Sequence, residues 1–529
     1  MAPSPFKEEY SRCGNDLRSD QEDNTEKDAE QDSEDDAEQD SEVDDTEQDS
    51  EEDDTEQESE QDSEENTEGD TEQMNEDELA NFRPLLSHLR IENLAELAIS
   101  LKTALLGAGD CTDNPLTCTV SPLPLTGSYN ILYRVTFSDG SAWIFKIPCI
   151  GYLPEWSDTS GRKLRSEANT MKFIRKHTTI PVPEVYAFDS RLDNVITAPY
   201  IAMEFIDGIN MSRKWYGTAD GDELCSRDQL EQRRVKWLKT LAEFFFELGK
   251  FGFDKCGMLD FTNGRDDPIS IVPLTVYDME AQHKLRQCTV DPVPPKFCQI
   301  GPFLDTKSYL LGLLGLRRFD NSCLNHYRIL WHLINWIPES IANAQLGTAG
   351  NRFVLCHPDF GVQNIMISND DECRILSIID WDGVSTSPLC LGNERYPHWL
   401  TRDWDPIMYR YDPKNPNDKQ ENSPEELERY CDIYATYMQR LVGGEREAFT
   451  GFSHVYEALE IAAGNMYSFA CIIHLLCEKC IHATRQQGVA EEDDLTLYDV
   501  LAAFDEDPPT PMVADRVRDG FLKLCGQGV

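Results

Sequence analysis

Residues 355–383 read LCHPDFGVQNIMISNDDECRILSIIDWDG, and more of the architecture can be inferred from them than from any other part of the chain. Their apolar residues predict two short strands, 365–368 and 374–379, joined by a polar turn. Antiparallel pairing would bring the two flanks of this hairpin together at one end. Asn364 and Asp380 occupy these flanks, each eight residues from the last residue of the turn. We therefore expect their oxygen atoms side by side, which suits a hard divalent cation such as Mg2+.

The segment just before the hairpin carries His357 and Asp359. Asp359 lies five residues before Asn364, so we expect it at the same end of the hairpin. There its carboxylate could accept a proton from a hydroxyl substrate or orient that hydroxyl, while His357 braces the loop. Each residue also has an ordinary explanation, because Asp359 could cap a turn, Asn364 could begin a strand and Asp380 could end one.

Two other side chains need a charged partner. Lys146 lies in the run AWIFKIP at 142–148, which is apolar on both faces, and lysine is almost never fully buried unless it is paired. Glu167, Met171 and Ile174 share one face of a predicted helix, which turns this carboxylate toward the core. The two charges are most simply satisfied by each other, and the ammonium group could then also reach a phosphate. The alternative is a surface lysine and an unrelated surface glutamate.

The region before these motifs predicts a β-rich lobe in the order β, β, α, β, β. Apolar residues alternate along 131–137, and Asp139-Gly140 predicts a two-residue hairpin turn into the next strand. Ser166 would cap a helix that runs to His177. Two more strands would follow, at 184–188 and 200–206.

After the last of these strands the chain is predicted to be mainly helical. Ser226 and Gln229 predict a capping box at the start of a long helix, which Gly249 would end. The apolar stretch 461–477 contains several polar residues, whereas a membrane span needs about 20 mostly apolar ones. We therefore predict one buried helix there.

Charge is distributed unevenly along the 529 residues. The chain has 48 Lys and Arg against 97 Asp and Glu, a net charge of −49, and residues 1–80 hold 36 of the acidic and 4 of the basic side chains. Repeats such as DAEQDSED begin at Asp28 and contain almost no apolar residues. Because such a segment cannot bury enough surface to offset its ordering entropy, we predict that 1–74 is disordered.

This acidic tail has two interpretations. It could be a solubilising extension of low complexity. It could also be a regulatory segment that binds a basic protein partner, because several serines have an acidic residue three positions later, as acidophilic protein kinases prefer. These serines are Ser33, Ser41, Ser50 and Ser59.

Composition excludes several functions and suggests a compartment. The body that remains after residue 80 is only mildly acidic, which argues against a general nucleic-acid binder or a protein that binds anionic membranes. The first residues, MAPSPFKEEYSRC, resemble neither a secretory signal nor a transit peptide, so we expect no export. Seventeen cysteines fit reduced thiols in the cytoplasm, with the nucleus as the alternative. Cys477 and Cys480 form a C-x-x-C motif, which we interpret as core or surface thiols, with metal or redox chemistry as the alternative.

The lysine, glutamate and loop residues described above match the catalytic parts of kinases in type and order, which are a strand lysine, a helix glutamate, an H-x-D-x-x-x-x-N loop and a following aspartate. The segments LCHPDFGVQNIM and ILSIIDWDG resemble the aminoglycoside phosphotransferase family, also called choline-kinase-like small-molecule kinases. The likeness is greatest to the fungal branch, which IPVPEVYAFD, IAMEFIDG and GPFLDTKSYL also resemble. It covers roughly residues 110 to 480.

The resemblance implies an α+β fold of the bilobal, protein-kinase-like kind. Its small β-rich N-lobe would span 109–207, and its larger, mainly helical C-lobe would span 208–529. A helical lead-in at 75–108 and the tail at 1–74 would precede them.

The resemblance also implies roles for individual residues. Lys146 would hold the phosphates of ATP and pair with Glu167. Asp359 would be the catalytic base. Asn364 and Asp380 would bind Mg2+.

Further roles by resemblance concern the nucleotide. Met203, Glu204 and Phe205 would form the hinge beside adenine, and Gly127 would lie in the phosphate-binding loop. That loop has one glycine where a protein kinase has three. Asp382, in the position after Asp380 and Trp381, receives no role.

The leading hypothesis is an ATP- and Mg2+-dependent phosphotransferase that acts on a hydroxyl group of a small metabolite, amine-bearing alcohols included. Acidic groups at Glu394, Asp403 and Asp405 could attract such a cation, or they could be solvated surface. No D-F-G or A-P-E follows the catalytic loop, which argues against a protein kinase. The alternative is a catalytically inactive, kinase-like scaffold whose acidic tail binds a basic protein.

Overall fold

The structure is a computed structural model that describes residues 79–107, 115–217, 226–261, 270–289, 293–317, 323–345, 350–414, 421–444, 446–485 and 494–527. All of these ranges belong to one unit, Asn75–Val529. The acidic segment 1–74, for which the sequence predicts a disordered tail, lies outside the described residues. The four lobe and segment boundaries therefore stay predictions.

The described residues form α-helices, short 3-10 turns and strands. The helices are α1 (Arg83–Leu86), α2 (Leu94–Leu106), α3 (Asp158–His177), α4 (Met211–Trp215), α5 (Arg227–Leu248), α6 (Met279–Arg286), α7 (Thr306–Leu314), α8 (Leu324–Trp336), α9 (Glu339–Ala342), α10 (Pro424–Val442), α11 (Thr450–Gly464), α12 (Phe469–Ala483), α13 (Leu497–Phe504) and α14 (Pro511–Leu524). The strands of the N-terminal half are β1 (Cys118–Val120), β2 (Leu125–Thr126), β3 (Asn130–Phe137), β4 (Ala142–Pro148), β5 (Val185–Asp189) and β6 (Tyr200–Glu204). Those of the C-terminal half are β7 (Ile209–Asn210), β8 (Gly252–Phe253), β9 (Met258–Asp260), β10 (Ser270–Val272), β11 (Leu274–Tyr277), β12 (Phe297–Ile300), β13 (Phe353–Cys356), β14 (Ile365–Ile367), β15 (Ile375–Ile378) and β16 (Ser385–Pro388).

An antiparallel sheet forms the N-terminal half, with strand order β1-β3-β4-β6-β5 and β2 beside β3. The predicted alternation along β3 is confirmed, because Ile131, Tyr133, Val135 and Phe137 are all buried. These side chains pack with residues of α1 and α2 in one apolar cluster. Helix α3 contributes to a second cluster, which includes Ile201 of β6. Apolar burial on both faces therefore holds the sheet between two helical layers.

The hairpin between β3 and β4 has a three-residue loop and not the two-residue turn predicted from Asp139-Gly140. The Phe137 amide donates to the Ser141 carbonyl oxygen at 2.8 Å, and the Gly140 amide donates to the Phe137 carbonyl oxygen at 3.0 Å. Gly140 has φ of 87°. A glycine in this left-handed region closes three-residue hairpins after a tight turn, so Gly140 is the residue that sets the loop length.

The prediction that Ser166 caps the helix was wrong, although its end at His177 is confirmed. Helix α3 begins at Asp158, and the Ser157 hydroxyl accepts a hydrogen bond from the Ser160 amide at 3.2 Å. Ser166 is a buried residue in the middle of the helix. The helix therefore has about two more turns at its start than predicted, and these turns are polar. Residues distant in the sequence contact them, as described below.

The C-terminal half is mainly helical, as expected. The capping box of Ser226 and Gln229 is present, and Gly249 follows the last residue of α5, so this prediction is confirmed. Two three-stranded sheets, β16-β13-β8 and β15-β14-β7, lie in this half. Buried residues of α5 and α10 cluster with both sheets, and the later helices α11 to α14 pack with α7 and α8 in another apolar cluster. The two sheets thus place the loop and hairpin of residues 357–380 between large cores.

The stretch 461–477 is not one helix, because α11 ends at Gly464 and α12 begins at Phe469. The side chain of Asn465 accepts hydrogen bonds from the amides of Tyr467 and Ser468, at 2.9 and 3.3 Å. This local turn competes with helix continuation, as Asn side chains often do.

No helix among the described residues is long and apolar enough to cross a membrane. Cys477 and Cys480 are both fully buried in α12. Burial raises the pKa of Cys477 to about 12, so its thiol is protonated at neutral pH. These properties fit the interpretation of both residues as core thiols.

Candidate active site

His357 contacts both the loop that carries Asp359 and the end of the β14–β15 hairpin. The ring is fully buried, and its Nε2 lies 2.9 Å from the Ile379 carbonyl oxygen. The Asp359 amide donates to Nδ1 at 3.2 Å, so a neutral ring carries its proton on Nε2. Burial lowers the pKa of His357 to about 4, which keeps the ring neutral at pH 7. His357 therefore holds the loop of Asp359 against the end of β15.

The hairpin register differs by one residue from the sequence prediction. The Ile379 amide donates to the Asn364 carbonyl oxygen at 2.9 Å, so Asn364 lies opposite Ile379 and not opposite Asp380. The register also shifts after Met366, which a count from the turn does not anticipate. Asp380 leaves the strand with φ of 57°, and its Oδ1 lies 3.2 Å from Nζ of Lys146.

Asn364 and Asp380 offer oxygen atoms of the kind that Mg2+ prefers. The Asn364 Nδ2 donates to the backbone oxygen and to Oδ2 of Asp359, at 3.0 and 2.9 Å. Within the part of the chain that the structure describes, no hydrogen bond reaches Asn364 Oδ1, and the Asp380 side chain is 51% exposed. An amide oxygen beside a carboxylate fits a hard cation. No group of three His, Cys, Asp or Glu side chains suited to a metal occurs among the described residues, so phosphates or water would have to complete the shell.

Lys146 and Glu167 form the ion pair that the sequence predicts. Lys146 Nζ lies 2.8 Å from Glu167 Oε1, and both side chains are buried. Burial by itself favours the neutral amine, but the carboxylates of Glu167, Asp380 and Asp382 outweigh it and raise the pKa of Lys146. The ammonium group therefore keeps its charge in the interior.

Asp382, to which the sequence assigned no role, makes a second contact of the same kind. Its Oδ1 lies 2.8 Å from Nζ of Lys163, and Asn130 Nδ2 lies 3.4 Å from Oδ2. Burial would raise the pKa of Asp382, but Lys163 and Lys146 outweigh it and lower the pKa. A signal for this contact existed, because Lys163 precedes Glu167 by four residues and so shares its helix face. We call the five charged groups the phosphate side: Lys146, Lys163, Glu167, Asp380 and Asp382.

The predicted phosphate-binding loop is the turn between β2 and β3. The Gly127 amide donates to the Asn130 carbonyl oxygen at 2.9 Å. A Cβ atom at Gly127 would meet its nearest neighbour at 3.7 Å, an ordinary contact, so sterics do not require glycine there. At the tip of the loop, the centroid of the Tyr129 ring lies 5.7 Å from the ring centroid of Tyr277 on β11. It lies 6.2 Å from the ring centroid of Phe297 on β12. The loop therefore rests on the two-stranded sheet of β11 and β12 in the C-terminal half, a contact that the sequence did not predict.

The three residues predicted as a hinge lie at the end of β6. The Glu204 amide donates to the Glu184 carbonyl oxygen at 2.8 Å, and the Phe205 amide donates to the Ala142 carbonyl oxygen at 3.2 Å. These amides are therefore occupied within the sheet. The pocket beside Lys146 and Lys163 is lined by other residues, and Met203 is not among them. Contact of this segment with adenine stays a prediction.

Both carboxylate oxygens of Asp359 are hydrogen-bonded. Oδ2 accepts from Asn364 Nδ2 and from Gln363 Nε2, the latter at 3.0 Å, and Oδ1 lies 3.2 Å from Nδ1 of His398. Burial would raise the pKa of Asp359, but its hydrogen bond with His398 and the charges nearby outweigh burial and lower the pKa to about 2. Sequence reasoning missed His398, which is 39 residues away and belongs to no motif.

Two of the three acidic groups suggested for attracting a cationic acceptor stabilise the C-terminal half instead. Glu394 is buried, pairs with Arg446 and accepts from the Phe449 amide at 3.0 Å. Asp405 is buried and accepts from the Ser468 hydroxyl at 2.9 Å. For Glu394 and Asp405, burial and these partners contradict both alternatives from the sequence, attraction of a cationic acceptor and solvated surface. Asp403 differs from these two residues in that its pKa is raised. Burial raises it, and the nearby Lys479 only partly opposes this effect.

Two relatives show how far the similarity extends. The chain is 24% identical over 349 residues to "Altered inheritance of mitochondria protein 9, mitochondrial" of Vanderwaltozyma polyspora, covering 58% of this chain and 52% of the relative. It is also 24% identical over 316 residues to a subtelomeric hrmA-associated cluster protein of Aspergillus fumigatus, covering 50% and 57%. The chain thus spans about half the length of these curated relatives.

Solved structures with a similar fold include two phosphotransferases. A spectinomycin phosphotransferase in complex with ADP and spectinomycin is 14% identical, with 76% of this chain and 92% of that chain covered and a TM-score of 0.33. An aminoglycoside phosphotransferase from Alicyclobacillus acidocaldarius is 12% identical, with 76% and 91% covered and a TM-score of 0.30.

A family model described as "Phosphotransferase enzyme family", abbreviated APH, matches residues 123–390. The match begins just before the turn of Gly127 and ends after β16, so it contains the phosphate side, Asp359 and Asn364. Because the match covers just over half of the chain, the chain belongs to the APH phosphotransferase family and has its protein-kinase-like fold.

Proposed function

We propose that the chain transfers the γ-phosphate of ATP to a hydroxyl group of a small molecule, with Mg2+ as the metal. One observation carries the proposal, which is the convergence of charged groups on a single ammonium. Lys146 Nζ lies 2.8 Å from Glu167 and 3.2 Å from Asp380, and Asn364, paired with the residue before Asp380, also holds Asp359. These contacts support the assignment of Lys146 as the phosphate-binding cation, Asn364 and Asp380 as the metal-binding pair, and Asp359 as the carboxylate for the acceptor.

Charge balance on the phosphate side supports the metal. Two ammonium groups face three carboxylates there, and burial raises the pKa of Glu167 to about 7, so the cluster carries no net positive charge whether or not Glu167 is ionised. Such a cluster would not attract a polyanionic nucleotide unless a divalent cation entered with it. Asn364 and Asp380 would hold Mg2+, which supplies charge neutralisation at the phosphoryl oxygens.

The protein's own side chains have separate tasks in this proposal. Lys146 donates to phosphate oxygens and is held in place by Glu167. Asp359 accepts a hydrogen bond from the acceptor hydroxyl and so aligns its oxygen with the phosphorus atom. With a pKa of about 2, Asp359 is ionised before the reaction and takes the proton only when the hydroxyl becomes acidic as its bond to phosphorus forms.

Two measurements test the proposal. The first is a thermal melt with Mg2+, ATP or both, in which the pair should stabilise the protein by about 2.7 kcal/mol at a hundred times Kd and either component alone much less. The second is a screen for Mg2+-dependent ADP formation with amino alcohols and sugars. A melting curve that saturating Mg-ATP leaves unchanged would remove the basis for nucleotide binding.

An inactive scaffold is the second candidate, and the phosphate-binding loop is the observation that favours it. The loop has one glycine, and Tyr129 at its tip packs on Tyr277 and Phe297. A loop held in this way has less freedom to cover a nucleotide. Binding of Mg-ATP without turnover on any acceptor would favour the scaffold, whose acidic tail would then bind a basic protein.

The cytoplasm, with the nucleus as alternative, is the location that we propose. The described cysteines are free thiols, which fit a reducing compartment. Relatives such as the Vanderwaltozyma polyspora protein carry the word mitochondrial in their names. Imaging of the full chain with a fluorescent protein at its C-terminus tests the proposal, and fluorescence confined to mitochondria would contradict it.

A further inference from the structure

A chain of polar contacts runs from Asp359 into the C-terminal half. Asp359 Oδ1 lies 3.2 Å from Nδ1 of His398, and Nε2 of the same ring lies 3.2 Å from Oε1 of Glu457 on α11. His398 begins a short 3-10 turn after Pro397. The imidazole therefore bridges a half-exposed carboxylate and a buried one, which is 7% exposed.

The ring is contacted at both of its nitrogens. Its Nδ1 contact with Asp359 is a hydrogen bond, and its Nε2 lies at the same distance from Glu457. Because a carboxylate lies at each nitrogen, a flip or tilt of the ring would break at least one of these contacts.

Glu457 has a second contact besides the one with His398. Its Oε2 accepts from the Thr401 hydroxyl at 3.0 Å inside the protein. Arg395 is buried nearby, donates to the His357 carbonyl oxygen at 2.8 Å and lies 3.8 Å from Glu460. A buried carboxylate needs such partners to offset the loss of water. Glu457 is thus a fixed anchor and not a mobile surface group.

The backbone of His398 is also tied to the catalytic loop. Its amide donates to the Phe360 carbonyl oxygen at 3.0 Å, one residue after Asp359. The ring and the main chain therefore locate the same loop independently. Because Asn364 and Gln363 bond the other oxygen of Asp359, the carboxylate is fixed on both sides, and one lone-pair site of Oδ1 remains for a further donor.

We infer that His398 is a positioning residue that fixes the Asp359 carboxylate toward the acceptor hydroxyl, and that Glu457 acts through His398 by anchoring its ring. The inference rests on the proposed function, which assigns the acceptor hydroxyl to Asp359. The physical effect is preorganisation. A carboxylate that is already aligned loses less conformational entropy when the hydroxyl binds.

Kinetics separate positioning from simple stabilisation. His398→Ala should lower kcat by about 10- to 100-fold, the scale of a misplaced catalytic group, while Mg-ATP affinity stays within about twofold. His398→Asn should recover part of kcat, because its amide can still donate to Asp359. His454→Gln is the matched control, since His454 is a partly buried histidine of α11 that contacts Tyr396 and Trp404 and not Asp359.

A double-mutant cycle tests the route through the ring. Glu457→Gln should lower kcat in the wild-type background and have no further effect in the His398→Ala background, because Glu457 then has no ring to anchor. Additive losses, equal losses in His398→Ala and His454→Gln, or an unchanged kcat in His398→Ala would each overturn the inference.

Nitrogen NMR of histidine-labelled full-length protein tests the contact without turnover. The chain has ten histidines, and His398→Gln identifies the signals of interest. We expect the ring-nitrogen signals of His398 to shift in Asp359→Asn and in Glu457→Gln, and signals that neither substitution changes overturn the inference. If the wild type neither binds Mg-ATP nor turns over, the proposed function fails, and these signals still decide whether His398 bridges the two carboxylates.

Discussion

The two sides of the candidate site are held together in different ways. The phosphate side joins both halves of the protein, because Lys146 and Lys163 come from the N-terminal half while Asp380 and Asp382 come from the C-terminal half. The acceptor side, which we define as Asp359, His398 and Glu457, lies wholly within the C-terminal half. Relative movement of the halves would therefore change the phosphate side and leave the acceptor side intact. Nucleotide affinity and acceptor alignment should accordingly respond to different substitutions.

The largest expected effect separates the two sides directly. Asp359→Asn keeps the size of the side chain and removes its charge, so turnover should fall by about 100-fold or more while Mg-ATP affinity changes little. Asp380→Ala should lower both, because Asp380 belongs to the phosphate side and would bind the metal. Steady-state kinetics and calorimetric titration with Mg-ATP measure the contrast. Equal turnover of wild type and Asp359→Asn on a verified acceptor would contradict the role of Asp359.

The contact between halves gives the next effect. Lys163→Met leaves the buried carboxylate of Asp382 without its closest cation and should lower the free energy of unfolding by about 2 to 3 kcal/mol. The exposed pair Arg518 and Asp515 is the control, and Arg518→Met should cost no more than about 0.5 kcal/mol. Urea denaturation measures both. A Lys163→Met protein as stable as the control would mean that this ion pair does not hold the halves together.

A smaller effect concerns His357, which holds the loop of Asp359. His357 is neutral in the folded protein with a pKa of about 4, against about 6.5 when unfolded, so the unfolded chain binds more protons between these values. Its contribution to stability is complete above pH 6.5 and is lost as the pH falls toward 4. Between pH 7 and pH 5 this loss should be about 2 kcal/mol. His357→Asn should be less stable at pH 7 yet lose less on acidification, and parallel stability curves for the two proteins would refute this account.

The smallest effect is expected from the acidic segment. Deletion of residues 1–74 should change neither the melting temperature nor ATP turnover, because the segment has almost no apolar residues with which to contact either side. Differential scanning calorimetry at moderate salt checks this. A melting temperature many degrees lower would show that the predicted boundary is wrong.

Local signals predicted the elements that short stretches of chain can specify. The capping box at Ser226 and the alternation along 131–137 involve residues within a few positions of each other, and both were predicted correctly. The start of α3 was missed, because the residues after Ser157 are polar and show no apolar stripe. One of them, Lys163, pairs with Asp382, which lies far along the chain. The hairpin register was missed by one residue, because a shift in strand pairing leaves no mark in the sequence pattern.

The sequence motifs indicated the family by resemblance. Residue types and spacing suggested which side chains could carry phosphate, metal and acceptor, because Lys146 and Glu167 each lack a local partner and because Asp359, Asn364 and Asp380 lie within about 20 residues of each other. Folding supplied the contacts that orient them. His398 reaches Asp359 across 39 residues, Glu457 lies 59 positions beyond His398, and Tyr129 contacts Tyr277 of β11 in the other half. These partners share no periodicity, so only the packing of the cores brings them within hydrogen-bond distance.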